Sequence, residues 1–182
     1  MIKVFDNIID KFEQEIIKKY LFEQSTWSFV QDVSIKDNIH QKRPGFKLFF
    51  NDNHPLNIYL KNIILNTAKK VKIKKPKPIE IRSFLQLPLN ENYIGKGVDT
   101  PHLDRTEPHL VFLYYVSNSD GDTVIYNYKS KSSNDIPYFE DIKESKRIKP
   151  KQGRVVVFDG LYWHTAEQPT KDVRCIINFN IQ

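Results

Sequence analysis

A chain of 182 residues with 13% aromatic side chains has material for one sizeable core and needs no second domain. Its one cysteine, Cys175, excludes an internal disulfide framework and points to a reducing, cytoplasmic setting. The opening MIKVFDNIIDKF is amphipathic, not a charged-then-apolar leader, and no run of about eighteen apolar residues occurs, so a soluble protein without membrane contact is expected. The net charge of +6 gathers in residues 69–77 (KKVKIKKPK) and 143–151 (KESKRIKPK). Such runs could meet a nucleic acid; the plainer reading is lysines on solvated strand ends and edges.

In chain order, residues 6–21 carry Ile8, Ile9, Phe12, Ile16, Ile17 and Tyr20 at helical spacing, with Asp6 able to cap the first turn. Residues 26–33 read as a strand and residues 45–50 as a second, short one. The stretch 56–71, with Ile58, Leu60, Ile63, Ile64, Leu65 and Ala68, predicts another helix with one buried face. Beyond Pro78 the segments 79–87, 109–117, 123–128, 154–159 and 173–181 are strand-like and separated by polar or Gly/Pro turns. The fold expected is mainly β (α+β), a double-stranded β-helix or jelly roll with N-terminal helices packed on one sheet. Residues 1–182 form a single domain in this reading, 1–75 as helical support and 76–182 as the jelly-roll core. The loop 129–135 (KSKSSND) is expected to be mobile.

Alternation in the last strand puts Arg174, Ile176, Asn178 and Asn180 on one face and Val173, Cys175, Ile177, Phe179 and Ile181 on the other. Either the polar row meets solvent, or it lines an internal cavity while the apolar row packs under the helices. The chemistry nearby favours a cavity. His102 and Asp104, in PHLD, stand two apart on an extended segment and can reach one metal; His164, in YWHT, would complete the set from another strand. Two imidazoles and one carboxylate are the ligands of a non-haem iron(II) site that leaves positions open for a chelating cosubstrate and dioxygen. Residues 166–172 would then turn the chain so that the last strand returns beside the histidine, with the Arg174 guanidinium as anchor for a cosubstrate carboxylate.

Residues 101–182 resemble the catalytic core of iron(II)- and 2-oxoglutarate-dependent oxygenases, in particular the prolyl 4-hydroxylase-like branch. The likeness rests on PHLD, FLYYVSNSDGDTVIY, PKQGRVVVFDGLYWHT and the strand that begins at Arg174. It implies iron ligands His102, Asp104 and His164, with Arg174 holding the C5 carboxylate of 2-oxoglutarate, assisted by Tyr115 and Asn178. DGDT, residues 120–123, stands where relatives have a Gly-Gly-x-Thr-like turn, with Asp120 in place of the first glycine. The implied reaction consumes O2 and 2-oxoglutarate, releases succinate and CO2, and hydroxylates a C–H bond of a protein or peptide, with proline the default side chain.

Other residues receive plainer readings. His109 is either a fourth ligand or an ordinary strand-end residue, and His40 and His54 lie in polar loops where exposure is expected. Trp163 points away from His164 on an extended segment, Arg82 and Gln86 share a face that could line the cavity, and Cys175 belongs to the core. Two other functions stay open. Oxidative demethylation of a nucleic acid base suits the basic runs and would use a lid at 87–100 with Tyr93. A cupin-like metal or small-molecule binding module without turnover would usually present His-x-His with a glutamate, where this chain has His-Leu-Asp, and would have no need for Arg174. Composition and motifs do not set an oligomeric state.

Overall fold

The computed structural model describes residues 1–33, 43–90, 98–132, 135, 137, 138 and 140–182. His40, most of the expected lid (residues 91–97, with Tyr93) and residues 133 and 134 of the polar loop lie outside the described residues. The elements are β1 (Ile2–Phe5), α1 (Lys11–Glu23), β2 (Ser28–Val30), β3 (Gly45–Phe49), α2 (Asn57–Val71), β4 (Pro78–Gln86), β5 (Leu110–Tyr115), β6 (Thr123–Lys129), β7 (Glu144–Ile148), β8 (Val155–Asp159), β9 (Tyr162–Ala166) and β10 (Arg174–Ile181). They form two sheets, ordered β1-β8-β5-β10-β4-β3-β2 and β7-β6-β9, with antiparallel pairing throughout. This is the jelly roll expected, with the difference that the N-terminal part also supplies three strands of the larger sheet.

The core is built by period-two alternation. Phe112 and Tyr114 of β5, Val155 and Val157 of β8, and Cys175, Ile177, Phe179 and Ile181 of β10 share one cluster with Ile17 and Leu21 of α1 and Leu60 and Ile63 of α2. The intervening residues Val111, Leu113, Tyr115, Val156, Phe158 and Ile176 face the other way and meet Ile125 and Ile148 of the smaller sheet. Burying a Phe or Ile in such a layer contributes about 1.5–3 kcal/mol each. So the apolar row of β10 lies under the helices and its polar row turns inward, between the sheets.

Several local expectations are corrected. α1 begins at Lys11 because Asn7 adopts a left-handed φ of 51°, and Asp10, not Asp6, caps it by accepting the Glu13 amide at 2.8 Å. Asp6 pairs instead with Arg154 at 2.7 Å and Lys151 at 2.8 Å. The buried face of α1 is Gln14, Ile17 and Leu21, which leaves Phe12 exposed, and Ile58 and Leu65 lie on the outer side of α2. His54 is half-buried rather than exposed, edge-on to Tyr20 and Phe50. The strand expected over 26–33 has three residues. β7, from the second basic run, went unrecognised because four of its five side chains are exposed. β10 does not return beside β9: it enters the other sheet between β5 and β4, so residues 166–172 cross from one sheet to the other.

Candidate active site

The ligand pair is carried by a segment laid along β9. Val98 bridges Glu167, the Asp99 amide donates to Ala166 at 2.8 Å, and His102 and His164 exchange backbone hydrogen bonds at 2.9 and 3.1 Å. That pairing sets the imidazoles of His102 and His164 side by side, with ring centroids 4.7 Å apart. Asp104, two residues on, completes the group, and the ligand atoms of His102, Asp104 and His164 all lie within 4.8 Å of one another. The Nδ1 atoms of the two histidines lie 3.3 Å and 3.0 Å from the carbonyls of Thr100 and Tyr162. A ring nitrogen against a carbonyl must carry the proton, so each Nε2 keeps its lone pair for a cation. Phe158 stands edge-on to His164 at 5.0 Å and fixes its plane.

Asp104 is nearly enclosed, and both its oxygens are engaged. Oδ1 accepts from the Arg82 guanidinium, and Oδ2 accepts from Asn178 Nδ2 at 2.8 Å and lies 3.6 Å from His164 Nε2. Burial by itself raises its pKa, but His164, Arg82 and His102 outweigh that and hold the carboxyl well below the usual range. Burial and the neighbouring His164 push the His102 imidazole down to about 4, which keeps it neutral. An ionised carboxylate beside two imidazoles whose Nδ1 atoms face carbonyls is a donor set that fits a divalent iron.

The cavity, about 270 Å³, continues from these three residues past Phe84, Leu113 and Ile176 to Arg174. Register explains the wall: Arg174, Ile176 and Asn178 of β10 stand opposite Gln86, Phe84 and Arg82 of β4. Arg174 is buried and makes three hydrogen bonds, from Nε to the Gly121 carbonyl at 2.9 Å, from Nη1 to Gln86 Oε1 at 3.0 Å and from Nη2 to Thr123 Oγ1 at 2.9 Å. All three acceptors are neutral. A guanidinium has five N–H donors, so two remain without an acceptor among the described residues, and the charge has no hydrogen-bonded carboxylate there. Gly121 permits this approach: a Cβ at that position would lie 2.6 Å from the Glu167 carbonyl and 3.1 Å from Arg174 Cδ. Asp120 next to it accepts from Thr170, Lys171 and Asp172, which ties the crossing segment in place.

The other candidates divide. Tyr115, fully buried with its hydroxyl pushed up to about 12 by burial, donates to Thr123 Oγ1 at 2.7 Å and so stands behind the threonine. Asn178 lies at the carboxylate ligand, not at the guanidinium, since residues four apart on a strand are separated by about 13 Å. His109 is buried at the strand end, with Nδ1 2.7 Å from the Glu107 carbonyl, and belongs to no metal-ligand cluster among the described residues. Trp163 packs with Val124, Tyr126 and Ile142 on the outer face of the small sheet. Sequence reasoning missed Thr123, Asp99 and Arg43. For Thr123 a signal existed in DGDT; Arg43 and Asp99 stand in segments without periodicity.

Comparisons agree with this geometry. Residues 90–182 match the model of the 2OG-Fe(II) oxygenase superfamily, a range that includes His102, Asp104, His164 and Arg174. No curated protein sequence matches. Among solved structures, the viral collagen prolyl hydroxylase of Paramecium bursaria Chlorella virus-1, in its 2OG complex, is 14% identical with a TM-score of 0.58, covering 99% of this chain and 94% of that one. A Trichoplax adhaerens prolyl hydroxylase, in complex with a peptide fragment of the hypoxia-inducible factor oxygen degradation domain, is 10% identical with a TM-score of 0.62, over 98% and 82%. A non-haem α-ketoglutarate-dependent epimerase from nogalamycin biosynthesis is 9% identical with a TM-score of 0.70, over 100% and 78%. At such identities these likenesses establish the fold, and the family match carries the rest: the chain belongs to the 2OG-Fe(II) oxygenase superfamily, as a dioxygenase dependent on iron(II), 2-oxoglutarate and O2.

Proposed function

We propose that His102, Asp104 and His164 hold the iron, that Arg174 anchors the far carboxylate of 2-oxoglutarate, and that the reaction hydroxylates a C–H bond of a protein or peptide, with proline the first side chain to test. The observation that carries this reading is the sharing of one cavity by a three-residue ligand set and a buried guanidinium whose hydrogen-bonded partners are all neutral. Bound there, iron(II) with 2-oxoglutarate supplies oxidative decarboxylation to succinate and CO2 coupled to hydroxylation of the substrate.

The chain's own part is placement. Arg82 and Asn178 hold the two oxygens of Asp104, and the Nδ1 contacts of His102 and His164 fix both tautomers. Gln86, Thr123 and the Gly121 carbonyl orient Arg174, while Tyr115 orients Thr123. Phe84, Leu113 and Ile176 give the middle of the cavity an apolar lining. Residues 1–75 act in this reading as support for the catalytic core, within one functional unit. A reducing, cytoplasmic setting suits Cys175, a buried free thiol. Among the described residues no helix is long and apolar enough to cross a membrane.

The two prolyl hydroxylases named above, one of them bound to a peptide, support the peptide reading. The second basic run forms the exposed strand β7, whose Arg147 is engaged by Glu144 and Glu167, in keeping with a solvated sheet edge rather than a nucleic acid surface. Succinate release with iron(II) and 2-oxoglutarate tests the proposal. Stimulation by proline-rich peptides, with a gain of one oxygen in the peptide mass, is the expected result; stimulation by methylated oligonucleotides alone would replace it with base demethylation.

A further inference from the structure

Among the described residues, the cavity contains one carboxylate that the reading above does not use. Asp99 lines it, 4% exposed, and pairs with the guanidinium of Arg43, itself 1% exposed. The backbone of Asp99 is held in place, its amide on Ala166 at 2.8 Å and its carbonyl accepting Thr165 Oγ1 at 2.6 Å. Arg43 enters from the segment before β3, with its own amide donating to Asp32 Oδ1 at 3.4 Å. Gln86 stands between this pair and the anchor. Its Oε1 accepts from Arg174 at 3.0 Å and its Nε2 donates to Asp99 Oδ2 at 3.5 Å, so guanidinium, amide, carboxylate and guanidinium form one buried chain.

A carboxylate one amide away from an anion-binding arginine works against that site. Arg174 has donors to spare, and Asp99 is an obvious alternative partner for them, in competition with any dicarboxylate that enters. Arg43 changes the balance. Burial raises the pKa of Asp99 and the ion pair with Arg43 works against that; with Asp99 ionised, the two guanidinium groups and one carboxylate of this chain carry one net positive charge, and removing Arg43 leaves none. A buried carboxylate without its partner turns to the nearest cation, because an unpaired charge away from water is strongly disfavoured.

We propose that Arg43 is a positioning residue for cosubstrate binding: by occupying Asp99 it keeps the Arg174 guanidinium free for the carboxylate of 2-oxoglutarate. The inference rests on the reading of Arg174 as the anchor. Calorimetric titration of 2-oxoglutarate into the full chain loaded with manganese(II) tests both separately, with melting temperatures recorded alongside. Arg174→Met should weaken binding by about 100-fold, and unchanged affinity there removes the anchor reading itself. With that established, Arg43→Met should weaken binding by about ten-fold or more, Asp99→Asn should bind at least as tightly as the parent, and Arg43→Met combined with Asp99→Asn should return to within about three-fold of it. In turnover the loss should appear in KM for 2-oxoglutarate and not in kcat. If Arg43→Met does not fold, Arg43→Lys and the double variant decide, both expected near the parental affinity. A folded Arg43→Met that binds like the parent, or a folded double variant with its affinity still reduced about ten-fold, overturns the proposal.

Discussion

Asp104 and Arg174 stand at opposite ends of one cavity and are treated oppositely by their neighbours. The carboxylate is surrounded by donors, Arg82 and Asn178, with two imidazoles within reach; the guanidinium meets a carbonyl, an amide oxygen and a hydroxyl, none of them charged. One end holds its anion ready to share with a metal, and the other keeps a cation uncompensated for a ligand to neutralise. The lesson lies in what the protein leaves out. Burying a guanidinium costs several kcal/mol unless it is well bonded, and here the three neutral partners offset part of that while the remaining donors await a carboxylate.

This contrast can be broken from either side. Asp104→Ala should have the largest effect, a loss of turnover of about a thousand-fold or more with loss of metal binding, measured by succinate release and by metal titration; residual iron-dependent activity above that level would remove Asp104 from the ligand set. Arg174→Met should raise the KM for 2-oxoglutarate by about 100-fold with kcat much less affected, since a bidentate guanidinium–carboxylate pair is worth about 2–3 kcal/mol. Gly121→Ala forces a methyl to 2.6 Å from the Glu167 carbonyl and 3.1 Å from Arg174 Cδ. It should lower the melting temperature and raise the same KM by roughly ten-fold, and parental values would show that the crossing segment yields freely.

Two smaller effects sharpen the comparison. Burial raises the pKa of Asp120, but the donors of residues 170–172 prevail and bring it to about 2, below its ordinary 3.8. A lowered carboxyl stabilises the fold above its ordinary pKa and loses that contribution as the pH falls from about 4 to about 2. Asp120→Asn should therefore be less stable at neutral pH by about 1–2 kcal/mol and flatter across that acid window in urea titrations. Tyr115→Phe removes one hydroxyl from Thr123, a step behind the anchor. Its expected cost is about 1 kcal/mol of stability with a KM change of a few-fold; a loss as large as that of Arg174→Met would place the phenol on the cosubstrate itself.

What could be read along the chain was what depends on local period and residue type. His-x-Asp on an extended segment, a distal histidine, and an arginine at the start of an alternating strand declare their chemistry without a fold, and alternation split β10 into an apolar and a polar face, which the structure lays under the helices and towards the cavity. Helix positions came through with their ends displaced, because Asn7 and Asp10 decide the start of α1 by backbone conformation and capping, which hydrophobic spacing does not register. β7 escaped notice since an exposed edge strand needs no apolar residues.

Only the tertiary structure decided which sheet β10 joins, that Asn178 serves Asp104 instead of Arg174, and that Arg43 and Asp99 meet beside the anchor. These are matters of pairing between segments far apart in the chain. A side chain's own face follows from its neighbours in sequence, but its partner is chosen by register and sheet order, which no local pattern encodes.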